Sequence, residues 1–207
     1  ATQAGEIDSV SARRLEARIA AMIRFPPRMD EPFRDGSGRQ FPQSAWPDGR
    51  ILSLRREPIG FVMPRVPGDL GCELEEILTP RGRKLAKFPE SYAVRVRAAR
   101  NLAALLSELH EAEHFVVDLK PKNVMAYKAP SALGLVALLD TDGFSIYGGA
   151  GRRFAAEKAS EEYMAPEMAG GALKFSDAGE LQDRWALAVI IFRLLNEGYH
   201  PYSGKLT

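Results

Sequence analysis

The apolar positions change period along the chain, and each change predicts an element. From Ser11 to Arg24, Leu15, Ile19 and Ile23 recur at four-residue spacing, which predicts a helix stopped by Pro26-Pro27. Residues 28–48, "RMDEPFRDGSGRQFPQSAWPD", are rich in Pro, Gly and charge and read as loop. "GRILSLRREPIGFVMPRV" predicts two strands joined by a tight Arg-Glu-Pro turn. "VPGDLG" then breaks the pattern at the boundary between two lobes, and Glu73 to Leu78 begins a short helix. A long helix is predicted from Pro89-Glu90, with Val94, Ala98, Leu102, Leu105 and Leu109 as its apolar stripe. "HFVVDLKPKNVMAY" reads as a loop between short extended pieces, and "LGLVALLD" as a strand buried on both faces. Residues 141–170 read as mostly irregular. Leu181 to Asn196 is apolar nearly all round, as a helix at the centre of a domain should be. Strands come first and helices later, so the expected fold class is α+β. A small sheet part covers residues 1–66, and a mainly helical part covers 67–207.

Composition narrows the class. The chain has 207 residues, 45% hydrophobic and 27% charged, which suits one large domain or two small lobes. A net charge of +1 supplies no field for nucleic acid or a membrane surface, so neither is an expected partner. Cys72 is the only cysteine, which excludes an internal disulfide and fits a reducing compartment. The first residues hold no signal-peptide core, and the longest apolar run, "WALAVIIF", is too short to span a bilayer. A soluble, cytoplasmic chain is expected.

The chemistry concentrates in "VVDLKPKNVMA", residues 116–126. Asp118 can accept a proton from an attacking hydroxyl. Lys120 can neutralise charge developing on a transferred phosphoryl group. Asn123 offers a hard oxygen suited to Mg²⁺, and "LLDTDGF" supplies the carboxylates of Asp140 and Asp142. His110, His114 and His200 lack a Cys partner nearby and read as packing or hydrogen-bonding groups rather than ligands.

These pieces resemble the protein kinase superfamily. "DLKPKN" is similar to its catalytic loop, H-R-D-x-K-x-x-N, and "LLDTDG" to its D-F-G metal strand. "ASEEYMAPE" resembles the end of an activation segment. "DRWALAVIIFRLLNEGYHPYSG" resembles the central helix and its exit, and "ELH" matches the end of the helix before the loop. The wording is closest to a bacterial branch of eukaryotic-like Ser/Thr kinases. Some members of that branch are encoded beside phosphatase-type and von Willebrand-type domain proteins.

The resemblance implies a two-lobed kinase fold, ATP and Mg²⁺ as cofactors, and a protein substrate phosphorylated on Ser/Thr. It assigns Asp118 as catalytic base, Lys120 to the γ-phosphate, and Asn123 with Asp140 to Mg²⁺, Asp142 being the second choice beside Asp140. Ser160, three before Tyr163, falls where Ser/Thr kinases carry a Thr that bonds the catalytic Asp and Lys. Asp183 would anchor the loop from the central helix, and Glu16 would partner the ATP-binding Lys. "FVMPRVPG" would be the hinge, with Met63 as gatekeeper, Pro64 offering adenine its carbonyl and Val66 its N–H.

Two departures stand out. Before Glu16 there is one Gly, Gly5, and no Lys, so either the sequence begins after the Gly-rich loop and its Lys-bearing strand, which is the favoured expectation, or the protein never had them; the later helices are likewise expected to lie outside this sequence. Val116-Val117 also replace His-Arg, and that Arg reads a phosphate on the activation segment, so activity independent of such a phosphate is expected. A pseudokinase serving as a binding or scaffolding module, and a small-molecule phosphotransferase, are the alternatives.

Overall fold

The computed structural model describes residues 9–29 and 32–204. Helix α1 (Ser9–Arg24) buries Ile19 of the predicted stripe, with Leu15 and Ile23 partly buried beside it, and also buries Met22, whose carbonyl accepts the Trp46 indole N–H at 3.1 Å. The segment read as loop contains a small hairpin, β1 (Phe33–Arg34) with β2 (Gln40–Phe41), closed by an Asp35 side chain that accepts from Ser37 and Arg39 N–H. Its stability is tertiary. Phe41 is fully buried and meets the Tyr127 ring edge-on at 5.2 Å, 86 positions along the chain.

Strands β3 (Gly49–Leu52) and β4 (Pro58–Val62) form the expected antiparallel hairpin, with Arg56 left-handed (φ 62°) in its turn. Glu73 was expected to open a helix. Instead it ends β5 (Gly71–Glu73), and Leu74–Ile77 form a single 3₁₀ turn closed by a capping box between Glu73 and Glu76. Helix α2 (Pro80–Ala86) follows, capped by the Thr79 hydroxyl on Gly82 N–H, with Pro80 where no N–H is needed. The long helix α3 (Tyr92–Glu111) buries Val94, Ala98, Leu102, Leu105 and Leu109 as predicted.

Strands β6 (Val124–Tyr127) and β7 (Val136–Leu138) complete a sheet of order β5-β6-β7, antiparallel throughout and wholly buried along β6 and β7. Beside β7 runs the stretch 43–45. Leu138 N–H donates to Gln43 O at 2.9 Å, and Ala45 N–H to Leu138 O at 3.0 Å. Residues 141–170 are less irregular than read. They hold a short hairpin of β8 (Ile146–Tyr147) and β9 (Arg153–Phe154), and helix α4 (Pro166–Ala169). Helix α5 (Glu180–Leu195) packs on α3 and buries Ala186, Val189, Ile190 and Leu194. The architecture is α+β. No helix among the described residues is long and apolar enough to cross a membrane.

A buried cation ties α2, α3 and the end of α5 together. Arg83 is fully buried. It donates to both oxygens of Glu90, to Glu197, and to the carbonyls of Ile77 and Leu78. Its hydrogen bonds hold both carboxyls below their ordinary value of 4.5. Such carboxylates contribute stability that is complete above the unfolded value and is lost as pH falls through the lower folded values. Urea unfolding followed from neutral to acid pH should therefore show that loss. Arg83→Met should be less stable at neutral pH and lose less on acidification, and an unchanged acid limb would count against the network.

Candidate functional site

The chain between α3 and β6 turns sharply. Val117 sits at φ 63°, a left-handed conformation costly for a β-branched residue, and Asp118 N–H closes a rare γ-turn onto Val116 O at 2.8 Å. Asp183, on the first turns of α5, holds this turn. Its fully buried carboxylate accepts from Val117 N–H at 2.7 Å, Val116 N–H at 2.8 Å and His110 Nε2 at 2.9 Å. The Val117 side chain faces inward, against Ala156, Met168 and Ala178. An arginine there would put a charge into that apolar cluster.

Three of the sequence-derived residues meet directly after the turn. Lys120 Nζ donates to Asp118 Oδ2 at 2.8 Å and to Ser160 Oγ at 3.1 Å, and Ser160 Oγ donates to Asp118 Oδ1 at 2.7 Å. Asp118 is buried and Lys120 and Ser160 are partly so. Both carboxylate oxygens are thus fixed by groups from two separate segments.

Asn123 lies in the next 3₁₀ turn and donates Nδ2 to Asp118 O at 3.3 Å, which leaves its side-chain oxygen free of that bond. The register Val124↔Leu138, with Leu139 N–H donating to Asn123 O at 2.9 Å, brings Asn123 and Asp140 to the same end of the sheet. Asp140 is left-handed (φ 56°), with its side chain about half exposed and Lys158 Nζ 4.0 Å away. Asp142 follows in a turn whose carbonyl takes the Arg18 guanidinium at 2.7 Å. Both aspartates line a cavity of about 490 Å³ with Arg14, Arg18, Glu157 and Lys158.

The remaining residues lie apart from this cluster. Glu16 faces Arg50 of β3 at 3.9 Å and borders an apolar cavity of about 510 Å³ between α1 and the β3–β4 hairpin. Met63 is exposed at the end of β4. Pro64 and Val66 lie in the irregular connection after it, and among the described residues neither Pro64 O nor Val66 N–H is engaged in a hydrogen bond. His114, read as a hydrogen-bonding group, is buried with Nε2 on Phe25 O at 2.6 Å and Nδ1 accepting from Tyr147 N–H; burial lowers its pKa.

Sequence reasoning missed Gln182. It is buried and bridges Val117, Tyr163 and Ala165. One signal could have found it, since it shares the buried stripe of Ala186, Val189 and Ile190 on an apolar helix, where an amide must find partners.

No protein-family model matches the chain. Among curated proteins it is similar to Protein kinase YegI of Escherichia coli (strain K12), 29% identical over 162 residues, and to Protein kinase YegI of Escherichia coli O157:H7, 29% identical over 163 residues. Each alignment covers 77% of this chain and 24% of the relative, so the chain spans about a quarter of the length of these relatives.

Proposed function

We propose that this chain carries the phosphoryl-transfer site of a two-lobed Ser/Thr protein kinase, with residues 1–66 in its small lobe and 67–207 in its helical lobe. The observation that carries the reading is the triangle of Asp118, Lys120 and Ser160. A carboxylate pinned at both oxygens points one way only, and a hydroxyl arriving beside it has a fixed acceptor for its proton. Lys120, bonded to the same carboxylate, stands where it can neutralise charge developing on the transferred group. Ser160 lends the cluster a hydroxyl from the segment that would receive the acceptor side chain. The similarity to proteins named as kinases points the same way.

The residues fit Mg²⁺. Asn123, whose side-chain oxygen is not used by its bond to Asp118 O, and Asp140 sit at one end of the β6–β7 pair, and few protein ligands suffice for an ion that keeps its waters. Asp142 is the reserve ligand. Bound there, the ion would offset charge on the phosphates of ATP. Pro64 O and Val66 N–H would meet adenine beside Met63, and Glu16 would pair with the ATP-binding Lys. Partners of the phosphatase or von Willebrand type rest on the resemblance alone.

The test uses the whole protein with γ-labelled ATP and Mg²⁺, offered a generic Ser/Thr protein substrate or small alcohols. Transfer to the protein hydroxyl supports the reading. Transfer confined to small alcohols would make the protein a small-molecule phosphotransferase. Nucleotide binding without transfer to either would make it a binding module.

A further inference from the structure

One uncharged side chain joins the two segments that build the Asp118 cluster. Gln182 Nε2 donates to Val117 O at 3.2 Å and to Tyr163 O at 3.0 Å, and its Oε1 accepts from Ala165 N–H at 2.8 Å. Val117 immediately precedes Asp118, whereas Tyr163 and Ala165 follow Ser160 on the other segment. Both amide hydrogens are used, and the residue is 1% exposed, so water is no substitute partner.

The position of the brace matters more than its strength. Val117 is held left-handed against its preference, and such strain persists only where the surroundings over-determine it. Its N–H is taken by Asp183 and its C=O by Gln182, consecutive residues on α5. The same α5 residue that fixes the Asp118 turn also fixes the register of Tyr163 to Ala165. Further along α5, Arg193 grips Glu162 and the Tyr163 hydroxyl. The segment after Ser160 is therefore anchored to one rigid helix at two points.

We propose that Gln182 is a positioning residue for phosphoryl transfer, a neutral cross-brace that registers the Ser160–Ala165 segment against the Asp118–Lys120 loop without any charged modification of that segment. The role in transfer rests on the proposed function; the brace itself does not. A neutral brace also suits Val117, whose side chain offers no cation to a modified segment.

Two variants of the whole protein test it. Gln182→Met keeps the shape and removes all three bonds. Gln182→Glu keeps the acceptor for Ala165 N–H but, when ionised, cannot donate to either carbonyl; when protonated it regains one donor. Assayed below its unfolding transition, each variant should transfer phosphate to protein about 10- to 100-fold more slowly, the scale of a misplaced reacting group, with ATP affinity unchanged. The Gln182→Glu defect should shrink as pH is lowered, relative to the unsubstituted protein at each pH. Amide exchange at Ala165 should accelerate in Gln182→Met while exchange along α3 stays as it was. Wild-type turnover in folded Gln182→Met, or unaccelerated exchange at Ala165, would overturn the proposal. Absence of transfer by the unsubstituted protein would overturn the kinase reading and the positioning role with it, while the exchange measurement would still decide the brace.

Discussion

Asp118→Asn in the whole protein is expected to lower turnover by about 10²- to 10⁴-fold, the range for losing a general acid–base group. The substitution is close to isosteric, so the fold should survive. The amide oxygen can still accept from Lys120, and the Ser160 hydroxyl can turn to accept from the new NH₂. What disappears is the carboxylate that can take a proton from the attacking hydroxyl. ATP affinity should change little, because Asp118 bonds Lys120 and Ser160 and is not among the proposed metal ligands. Steady-state transfer to a protein substrate, with the unfolding midpoint measured in parallel, checks this. Turnover at the wild-type level would remove Asp118 from the reaction.

Asp183→Ala should have the largest effect on stability. Its carboxylate is the acceptor for two consecutive buried amides, Val116 and Val117, and for His110. Orphaning two buried N–H groups costs about 1–3 kcal/mol each, or about 2–6 kcal/mol together. That is a large share of the roughly 5–15 kcal/mol that holds a domain folded. The left-handed Val117 would also lose one of its two restraints. Urea unfolding would measure the loss. A change below about 1 kcal/mol would mean that the turn is held by its apolar contacts and not by Asp183.

The long helices were legible because their burial is periodic. The stripes of α1 and α3 and the apolar runs of α5, β3, β4 and β7 are local features of one segment, although α5 leaves Leu181 and Phe192 exposed and so presents one face to solvent instead of being buried all round. The misses have a common cause. The β1–β2 hairpin exists because Phe41 finds Tyr127, and β5 because residues 71–73 pair with 125–127. Neither partner can be read from the local pattern, and Glu73, a good helix former, pointed the wrong way. Residues that carry chemistry by type, such as Asp118, Lys120 and Ser160, stood out in sequence, and the fold brings those three together. Gln182 did not, because an amide that serves only through backbone groups has no motif.

The way these segments are held also fixes how they respond to salt. Exposed ion pairs weaken as the Debye length shortens from about 10 Å at 0.1 M ionic strength to about 3 Å at 1 M. The link from α1 to the segment after β9 combines such a pair, Arg14 with Glu157, each more than half exposed, with the buried Arg18 guanidinium, which donates to Ala155 O at 2.7 Å. The link from α5 to the Asp118 turn runs through a buried carboxylate, a neutral amide and apolar contacts, which mobile ions barely reach. Rising ionic strength should therefore weaken the Arg14–Glu157 pair at the rim of the cavity around Asp140 and Asp142, while the buried Arg18 bonds and the Asp118–Lys120–Ser160 register hold. Salt thus reaches the exposed rim of the site and not the buried groups that support it.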